Sequence, residues 1–116
     1  MAWKVLSHPE FVDWLGTLDQ PLYDEFFANF RLLEEMGPNL CRPRVDTVKG
    51  SKFKNMKELR IQHKGEPWRI LFAFDPKRSA ILLIGGNKGG DKRWYKENIP
   101  IADKRFEKHL KELEKK

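Results

Sequence analysis

The segment 57–88, KELRIQHKGEPWRILFAFDPKRSAILLIGGNK, carries the clearest structural signal in this chain. It contains three runs of apolar, β-branched or aromatic residues, which are separated by two short turn signals, at Lys64-Gly65 and at residues 75–78. Such runs with turn residues between them predict a three-stranded antiparallel meander. The third run, residues 80–84, is apolar on both faces, which is typical of a central strand.

The turn at Lys64-Gly65 sets the register of the first hairpin. A two-residue loop there pairs His63 with Glu66. The count outward then places Arg60 directly opposite Arg69, in a non-hydrogen-bonded pair whose side chains come close together. Two cations in such a pair destabilise a sheet unless a negative group lies between them, so the pair is a candidate anion site.

The second turn adds a glycine to this row. If residues 75–80 close as a four-residue loop, Gly86 lies opposite Arg69, and the row across the sheet reads Arg60, Arg69, Gly86. Because Gly86 has no side chain, we expect an open floor beside the two arginines.

The composition indicates a soluble globular chain with a basic surface. Residues 1–116 have the size of one domain with a single modest core. Hydrophobic residues make up 40% of the chain and charged residues 34%. The formal charge of +6 suits a polyanion or an acidic protein as the partner.

The sequence carries no signal for a metal, a cofactor or a membrane. The single cysteine, Cys41, and the three histidines lack the spacing of metal ligands. The glycine-rich segment 85–90 lacks the Gly-Lys-Ser/Thr ending of a P-loop, and we interpret it as a flexible strand exit. No run approaches the roughly 20 apolar residues of a membrane span, and no apolar leader follows Met1, so we expect a cytoplasmic protein.

The N-terminal part predicts a short strand and two helices. The strand covers residues 2–6, and Ser7 is the expected N-cap of the first helix. Asp19 caps the second helix, and Gly37-Pro38 ends it. Residues at helical spacing give this hairpin one apolar face, which we interpret as core: Phe11, Trp14, Leu22, Phe26, Phe30 and Leu33.

The segment 38–56, before the meander, is irregular and basic. It has little periodicity and several turn residues, so we expect a loop. Its cations either follow a phosphate backbone or simply face solvent, and the candidates for RNA contact are Lys49, Lys52 and Lys54.

A second basic segment follows the meander and interleaves cations with aromatic rings, in Lys92, Arg93, Trp94 and Tyr95. This pattern is typical of single-stranded nucleic-acid binding, where bases stack on rings and phosphates pair with cations. The alternative is that the rings anchor the terminal helix, which we expect at residues 101–114. We expect Trp94 and Tyr95 to divide these two roles.

The predicted fold class is α+β, with an N-terminal strand and a helical hairpin packed on a small antiparallel sheet, and a short C-terminal helix. With ELRIQHKGEPWRILFAFD, LLIGG-K and RWY, the chain resembles the RelE/HigB toxins of bacterial type II toxin–antitoxin systems, and most of all their phage-related, Gp49-like branch. The resemblance extends over nearly the whole chain and is most specific over residues 59–95.

The resemblance implies a microbial-ribonuclease-like fold and an mRNA interferase, an endoribonuclease that cuts mRNA in the ribosomal A site without a metal or another cofactor. In such toxins the 2′-hydroxyl attacks the adjacent phosphate and leaves a 2′,3′-cyclic phosphate. The resemblance also implies a cognate antitoxin, which we expect to be a helix-turn-helix protein from the adjacent gene.

Four positions match the family's catalytic pattern. The arginine of the family's Tyr-Arg-hydrophobic-hydrophobic-Tyr strand matches Arg69, and the basic residue of the preceding strand matches Arg60. The basic residue after the strand-end glycine matches Lys88, and the aromatic hydroxyl near the C-terminus matches Tyr95. The two arginines suit charge stabilisation, because guanidinium groups match phosphate oxygens in shape and stay charged.

The general base is open between three residues. Tyr95 is the favoured one, and it would need its pKa lowered by the surrounding cations. His63 titrates in a suitable range, but alternation places it on the opposite face of the strand from Arg60. Glu58 shares the face of Arg60 and could also serve.

Two other functions remain compatible with the sequence. The first is a ParE-like toxin of the same fold that poisons DNA gyrase without cutting RNA, in which the arginine row would be dispensable. The second is a catalytically inert homologue that is kept for its antitoxin complex. In either case Arg69 would have a structural role, such as pairing with Glu58 or Asp91.

Overall fold

The computed structural model describes residues 3–115, and it has the predicted α+β architecture with five strands and three α-helices. The elements are β1 (Lys4–Ser7), α1 (Pro9–Leu15), α2 (Gln20–Met36), a short 3-10 turn (Gly37–Asn39), β2 (Val45–Thr47), β3 (Met56–His63), β4 (Glu66–Phe74), β5 (Ser79–Asn87) and α3 (Trp94–Glu114).

One sheet holds all five strands, in the order β1-β5-β4-β3-β2. The meander of β3, β4 and β5 is antiparallel, as predicted. Two features were missed. The strand β1 runs parallel to β5, so the sheet is mixed, and β2 forms within the segment that was expected to be a loop. β2 is only three residues long, and three residues show too little alternation to be recognised.

The predicted arginine register is confirmed. Lys64 and Gly65 have φ values of 51° and 77°, and two residues with positive φ form a type I′ hairpin loop. Arg60 pairs with Arg69, and Arg69 pairs with Gly86. The glycine pair lies inside β5, so the interpretation of residues 85–90 as a strand exit is wrong for Gly85 and Gly86.

The two faces of the sheet bury separate cores. The helices α1 and α2 cover one face, and the aromatic stripe predicted as core packs there against Leu59, Ile70 and Phe72. The helix α3 covers the other face, where Trp94 and Phe106 pack on Leu71, Leu83 and their neighbours. Because strand side chains alternate, Arg60 and Arg69 point to the α3 face.

The observed helix ends agree with the predicted ones at α2 but not at α1 or α3. Asp19 Oδ1 accepts a hydrogen bond from the Leu22 N–H at 3.0 Å, as expected of an N-cap. The cap of α1 is His8, whose Nδ1 accepts from the Glu10 N–H at 3.2 Å, and not Ser7, which ends β1. The helix α3 starts at Trp94 and runs through Pro100, instead of starting after it. Burial of its first turns on the sheet offsets the cost of the internal proline.

Candidate active site

A buried carboxylate lies between the two opposed arginines. Glu58 is 5% exposed and shares a strand face with Arg60, two residues along β3. Arg60 donates from Nε and Nη2 to Glu58 Oε2 at 3.1 and 3.0 Å. The Nε of Arg69 lies 3.6 Å from Glu58 Oε1. The anion that the register requires is therefore supplied by the protein itself.

Of the other two predicted catalytic residues, Tyr95 reaches the same carboxylate and Lys88 lies against the ring of Tyr95. The first turn of α3 brings Tyr95 over the sheet, and its hydroxyl donates to Glu58 Oε1 at 2.5 Å. Lys88 follows β5, and its Nζ lies 5.7 Å from the centre of the Tyr95 ring. We call Glu58, Arg60, Arg69, Lys88 and Tyr95 the Glu58 cluster.

The surroundings of Tyr95 favour the protonated phenol. Burial is the largest cause that raises its pKa above the ordinary value, and the hydrogen bond to Glu58 raises it further. Arg69 opposes this change and does not outweigh it. A general base needs the opposite shift, so the environment makes Tyr95 a hydrogen-bond donor.

The strand β2 adds a second carboxylate beside Arg60. Asp46 pairs with Glu58 in the sheet register, and its Oδ2 lies 3.2 Å from Arg60 Nη2. The same Oδ2 accepts from Arg42 at 3.1 Å, and this contact is the first cause that lowers the Asp46 pKa. Arg60 is thus held between two carboxylates, Glu58 from its own strand and Asp46 from β2, and only the tertiary pairing of β2 brings the second one there.

Two cavities meet at Arg60. The Lys49 cavity, about 430 Å³, is lined by Arg42, Asp46, Thr47, Val48, Lys49, Glu58, Arg60 and Tyr95. The Arg44 cavity, about 440 Å³, is lined by Glu25, Asn29, Pro43, Arg44, Arg60, Ile61, Gln62 and Arg69. A strand of nucleic acid that occupied both cavities would cross the Glu58 cluster.

The predicted RNA-binding lysines lie in different settings. Lys49 is exposed and lines the Lys49 cavity. Lys52 instead pairs with Glu107 of α3, and its backbone N–H donates to Asp103 at 3.1 Å. Lys54, Lys92 and Arg93 are exposed, and within residues 3–115 no ion pair ties them to the cluster.

The position of Trp94 differs from two expectations, the stacking of its ring on RNA and the open floor at Gly86. Its indole is 5% exposed and belongs to the core under α3, so it is not free to stack on an RNA base. A Cβ built on Gly86 would lie 2.6 Å from Trp94 Nε1. The floor at Gly86 is therefore covered by the indole, and glycine is needed there for close packing.

His63, a candidate general base, and Asp91, a candidate ion-pair partner of Arg69, both lie away from the arginine pair. His63 Nδ1 lies 4.0 Å from Glu25 Oε1, on the face covered by α2, as alternation predicted. Asp91 accepts from the Arg93 N–H at 2.9 Å, and the carboxylate nearest Arg69 is that of Glu58.

Within residues 3–115 no group of three or more acidic, histidine or cysteine side chains could hold a metal ion.

The fold is similar to that of two solved RelE structures. It superposes on an arginine-to-alanine double mutant of the Escherichia coli toxin RelE in the free state, with a TM-score of 0.60 and 14% identity, over 90% of this chain and 98% of that one. The archaeal RelE–RelB complex from Pyrococcus horikoshii gives a TM-score of 0.56 and 20% identity, over 78% of this chain and 99% of that one. At these identities the likeness concerns the fold.

The sequence places the chain in a family. It belongs to the phage-derived Gp49-like proteins (DUF891), whose family model matches residues 13–107. Two relatives come from Mycobacterium tuberculosis. The putative toxin HigB3 is 50% identical over 107 residues, which are 91% of this chain and 92% of HigB3. The putative toxin HigB2 is 52% identical over 103 residues, which are 87% of this chain and 51% of HigB2, so the chain spans about half of that relative. The resemblance seen in the sequence is thereby confirmed.

None of the helices within the described residues is long and apolar enough to cross a membrane.

Proposed function

We propose that this chain is the toxin of a type II toxin–antitoxin module and that it is an endoribonuclease which cleaves mRNA on the ribosome. Two relatives at about half identity carry the name of putative toxins, and the fold is that of RelE. The observation that carries the proposal is the Glu58 cluster, in which Arg60, Arg69 and Tyr95 surround one carboxylate and Lys88 lies against the Tyr95 ring. Messenger RNA as the substrate places the protein in the cytoplasm.

The arginine pair binds the scissile phosphate. The side chain of Arg60 is 37% exposed, so its guanidinium is open to a ligand. Arg69 is more buried, at 13%, and its Nε has no hydrogen-bond acceptor within the described chain. Attack by the 2′-hydroxyl adds negative charge to the phosphate oxygens, and two guanidinium groups held by Glu58 stabilise that charge without reorganisation. Lys88 adds a third cation at the edge of the cluster.

Glu58 and Tyr95 divide the proton chemistry. Glu58 is the carboxylate within hydrogen-bond reach of both Arg60 and Tyr95, and we assign it as acceptor of the 2′-hydroxyl proton. Tyr95 is protonated at neutral pH, since even the ordinary pKa of a tyrosine lies near 10 and the pKa of Tyr95 is raised above it. As the bond from phosphorus to the 5′-oxygen breaks, Tyr95 gives its proton to that oxygen and regains one from Glu58, its hydrogen-bond partner, which has taken the 2′-hydroxyl proton. The reaction then ends in a 2′,3′-cyclic phosphate and a free 5′-hydroxyl, and it uses no metal.

The partner that silences the toxin is an antitoxin. The archaeal structural neighbour is a complex of RelE with RelB, which supports such a partner for this chain. We propose a helix-turn-helix protein from the adjacent gene as this antitoxin.

A catalytically inert homologue is the second candidate. Glu58 contacts both arginines, so part of their charge is neutralised inside the protein. In that case the cluster would only hold β3, β4 and α3 together, and its residues would matter for stability alone.

The decisive experiment maps RNA 5′ ends after tightly controlled induction of the wild type, of Arg69→Ala, and of Lys64→Ala as a control on the exposed hairpin tip. The proposal expects new 5′-hydroxyl ends within codons for the wild type and for Lys64→Ala, and none for Arg69→Ala at equal soluble yield. Intact mRNA with stalled or broken DNA would show a gyrase poison. Intact mRNA without a growth defect would show the inert homologue.

A further inference from the structure

Three arginines converge on the Arg44 cavity. Arg60 and Arg69 reach it from the sheet, and Arg44 reaches it from the segment just before β2. With Glu25 as the single carboxylate of the lining, the cavity has a formal charge of +2. Such a surplus of guanidinium groups around one cavity favours an anion.

Arg44 is held in place by a buried amide. Asn29 is 6% exposed, and its Oδ1 accepts from Arg44 Nη1 at 3.0 Å. Its Nδ2 donates to the Glu25 carbonyl oxygen at 2.8 Å, so both ends of the amide are used. The carbonyl oxygen of Arg44 also accepts from the Arg60 N–H at 2.7 Å, which ties the two arginines through the backbone. Asn29 is therefore a positioning residue for Arg44.

Arg44 differs from the other two arginines in its charge partners. Arg60 and Arg69 both contact Glu58, whereas within residues 3–115 no carboxylate lies within 4.0 Å of the Arg44 guanidinium. One nitrogen of Arg44 is bound to Asn29, and Arg44 lines a cavity that Arg60 and Arg69 also line. An oriented guanidinium without a carboxylate suits a phosphate ligand.

We propose that the Arg44 cavity is a second phosphate subsite, which binds the phosphate next to the scissile one on single-stranded RNA. The inference rests on the proposed function, because it takes Arg60 and Arg69 as the site of the scissile phosphate. RNA carries a phosphate on every nucleotide, so a strand that places one phosphate on the Glu58 cluster brings its neighbour to the adjoining cavity.

The test measures binding of an RNA pentanucleotide that carries a 2′-deoxy group at the scissile position and therefore cannot be cleaved. Fluorescence anisotropy over a salt series compares the wild type with Arg44→Ala. The matched control is Arg31→Ala, which removes the same charge from α2 beside a different cavity. The expected result for Arg44→Ala is a Kd about tenfold higher and a slope of log K against log salt about 0.7 shallower, the value for one phosphate contact on a single strand. Arg31→Ala should match the wild type.

A shorter ligand separates the two subsites. A dinucleotide that contains only the scissile phosphate should bind the wild type and Arg44→Ala equally well. Asn29→Ala should flatten the salt slope for the pentanucleotide in the same direction, which a merely structural role of the amide would not do.

Three outcomes would overturn the subsite: an unchanged salt slope, an equal loss for the dinucleotide, or an altered base preference at constant slope. The last would mean that Arg44 contacts a base. The proposed function fails separately, if wild-type protein binds these RNAs but leaves the all-ribose pentanucleotide and ribosome-bound mRNA uncut.

Discussion

Removal of the Glu58 carboxylate tests the central contact of the site. Glu58→Ala leaves two arginines directly opposite each other, with the more buried one, Arg69, losing its nearest anion. The variant also removes two hydrogen bonds from Arg60 and one from Tyr95.

The expected cost follows from the burial of each partner. Breaking a fully buried ion pair costs about 3–5 kcal/mol. The Arg60 side chain is 37% exposed and is rehydrated when the carboxylate is removed, so the lost contact with Arg60 contributes little to the destabilisation. We therefore expect Glu58→Ala to lower the free energy of unfolding by about 3 kcal/mol. Urea denaturation measures this loss. Asp46→Asn is the matched control, because its partners are more exposed, and it should lower the free energy of unfolding by much less than Glu58→Ala does.

A second measurement distinguishes lost charge from lost packing. If the arginines need an anion between them, inorganic phosphate should stabilise Glu58→Ala more than it stabilises the wild type, because removal of the carboxylate adds a position between the arginines where phosphate can bind the folded variant. The reasoning is refuted if Glu58→Ala unfolds at the same urea concentration as Asp46→Asn, or if phosphate stabilises both proteins equally.

Three further outcomes are expected. Because the pKa of Tyr95 is raised in the folded state, the protonated phenol stabilises the fold fully below the unfolded-state pKa of about 10, and this stabilisation declines as the pH rises above that value. Urea denaturation at several pH values should therefore show that Tyr95→Phe loses less stability than the wild type between about pH 9 and 11. Tyr23→Phe, which changes an exposed ring, should follow the wild type. Gly86→Ala should cost about 1–3 kcal/mol, because its Cβ would lie 2.6 Å from the indole above it, and an unchanged midpoint of unfolding would contradict that packing. Lys49→Ala should weaken RNA binding more than Lys52→Ala, whose lysine is already paired with α3, and equal Kd values would count against the Lys49 cavity as an RNA path.

Local rules determined the hairpin and its arginine pair. Lys64-Gly65 adopts the positive φ values of a two-residue turn, and from there period-two alternation places Arg60 opposite Arg69. The same is true of the Asp19 cap and the aromatic stripe of α1 and α2, because each depends on residues within one or two turns of helix.

The pairing of Arg69 with Gly86 has a less simple origin. The expected four-residue loop would pair Asp75 with Ala80, but in the structure Phe74 pairs with Ala80. A bulge in β5 between the partners of Leu71 and Phe72 shifts the register back by one residue. The prediction was therefore right at Gly86 because two deviations cancel, and neither deviation is visible in the local sequence.

The strands of the meander, the turn between the first two, and the sheet face of each cation could be predicted from local sequence, whereas β2 could not. The contacts in the site could not be predicted in this way: Glu58 between the arginines, the Tyr95 hydroxyl from α3, and the indole over Gly86. Backbone conformation and alternation are set by neighbours in the chain, whereas burial and charge pairing depend on groups that are far apart in sequence, such as Tyr95 and Glu58, 37 residues away. Burial is what turned Tyr95 from the expected base into a hydrogen-bond donor.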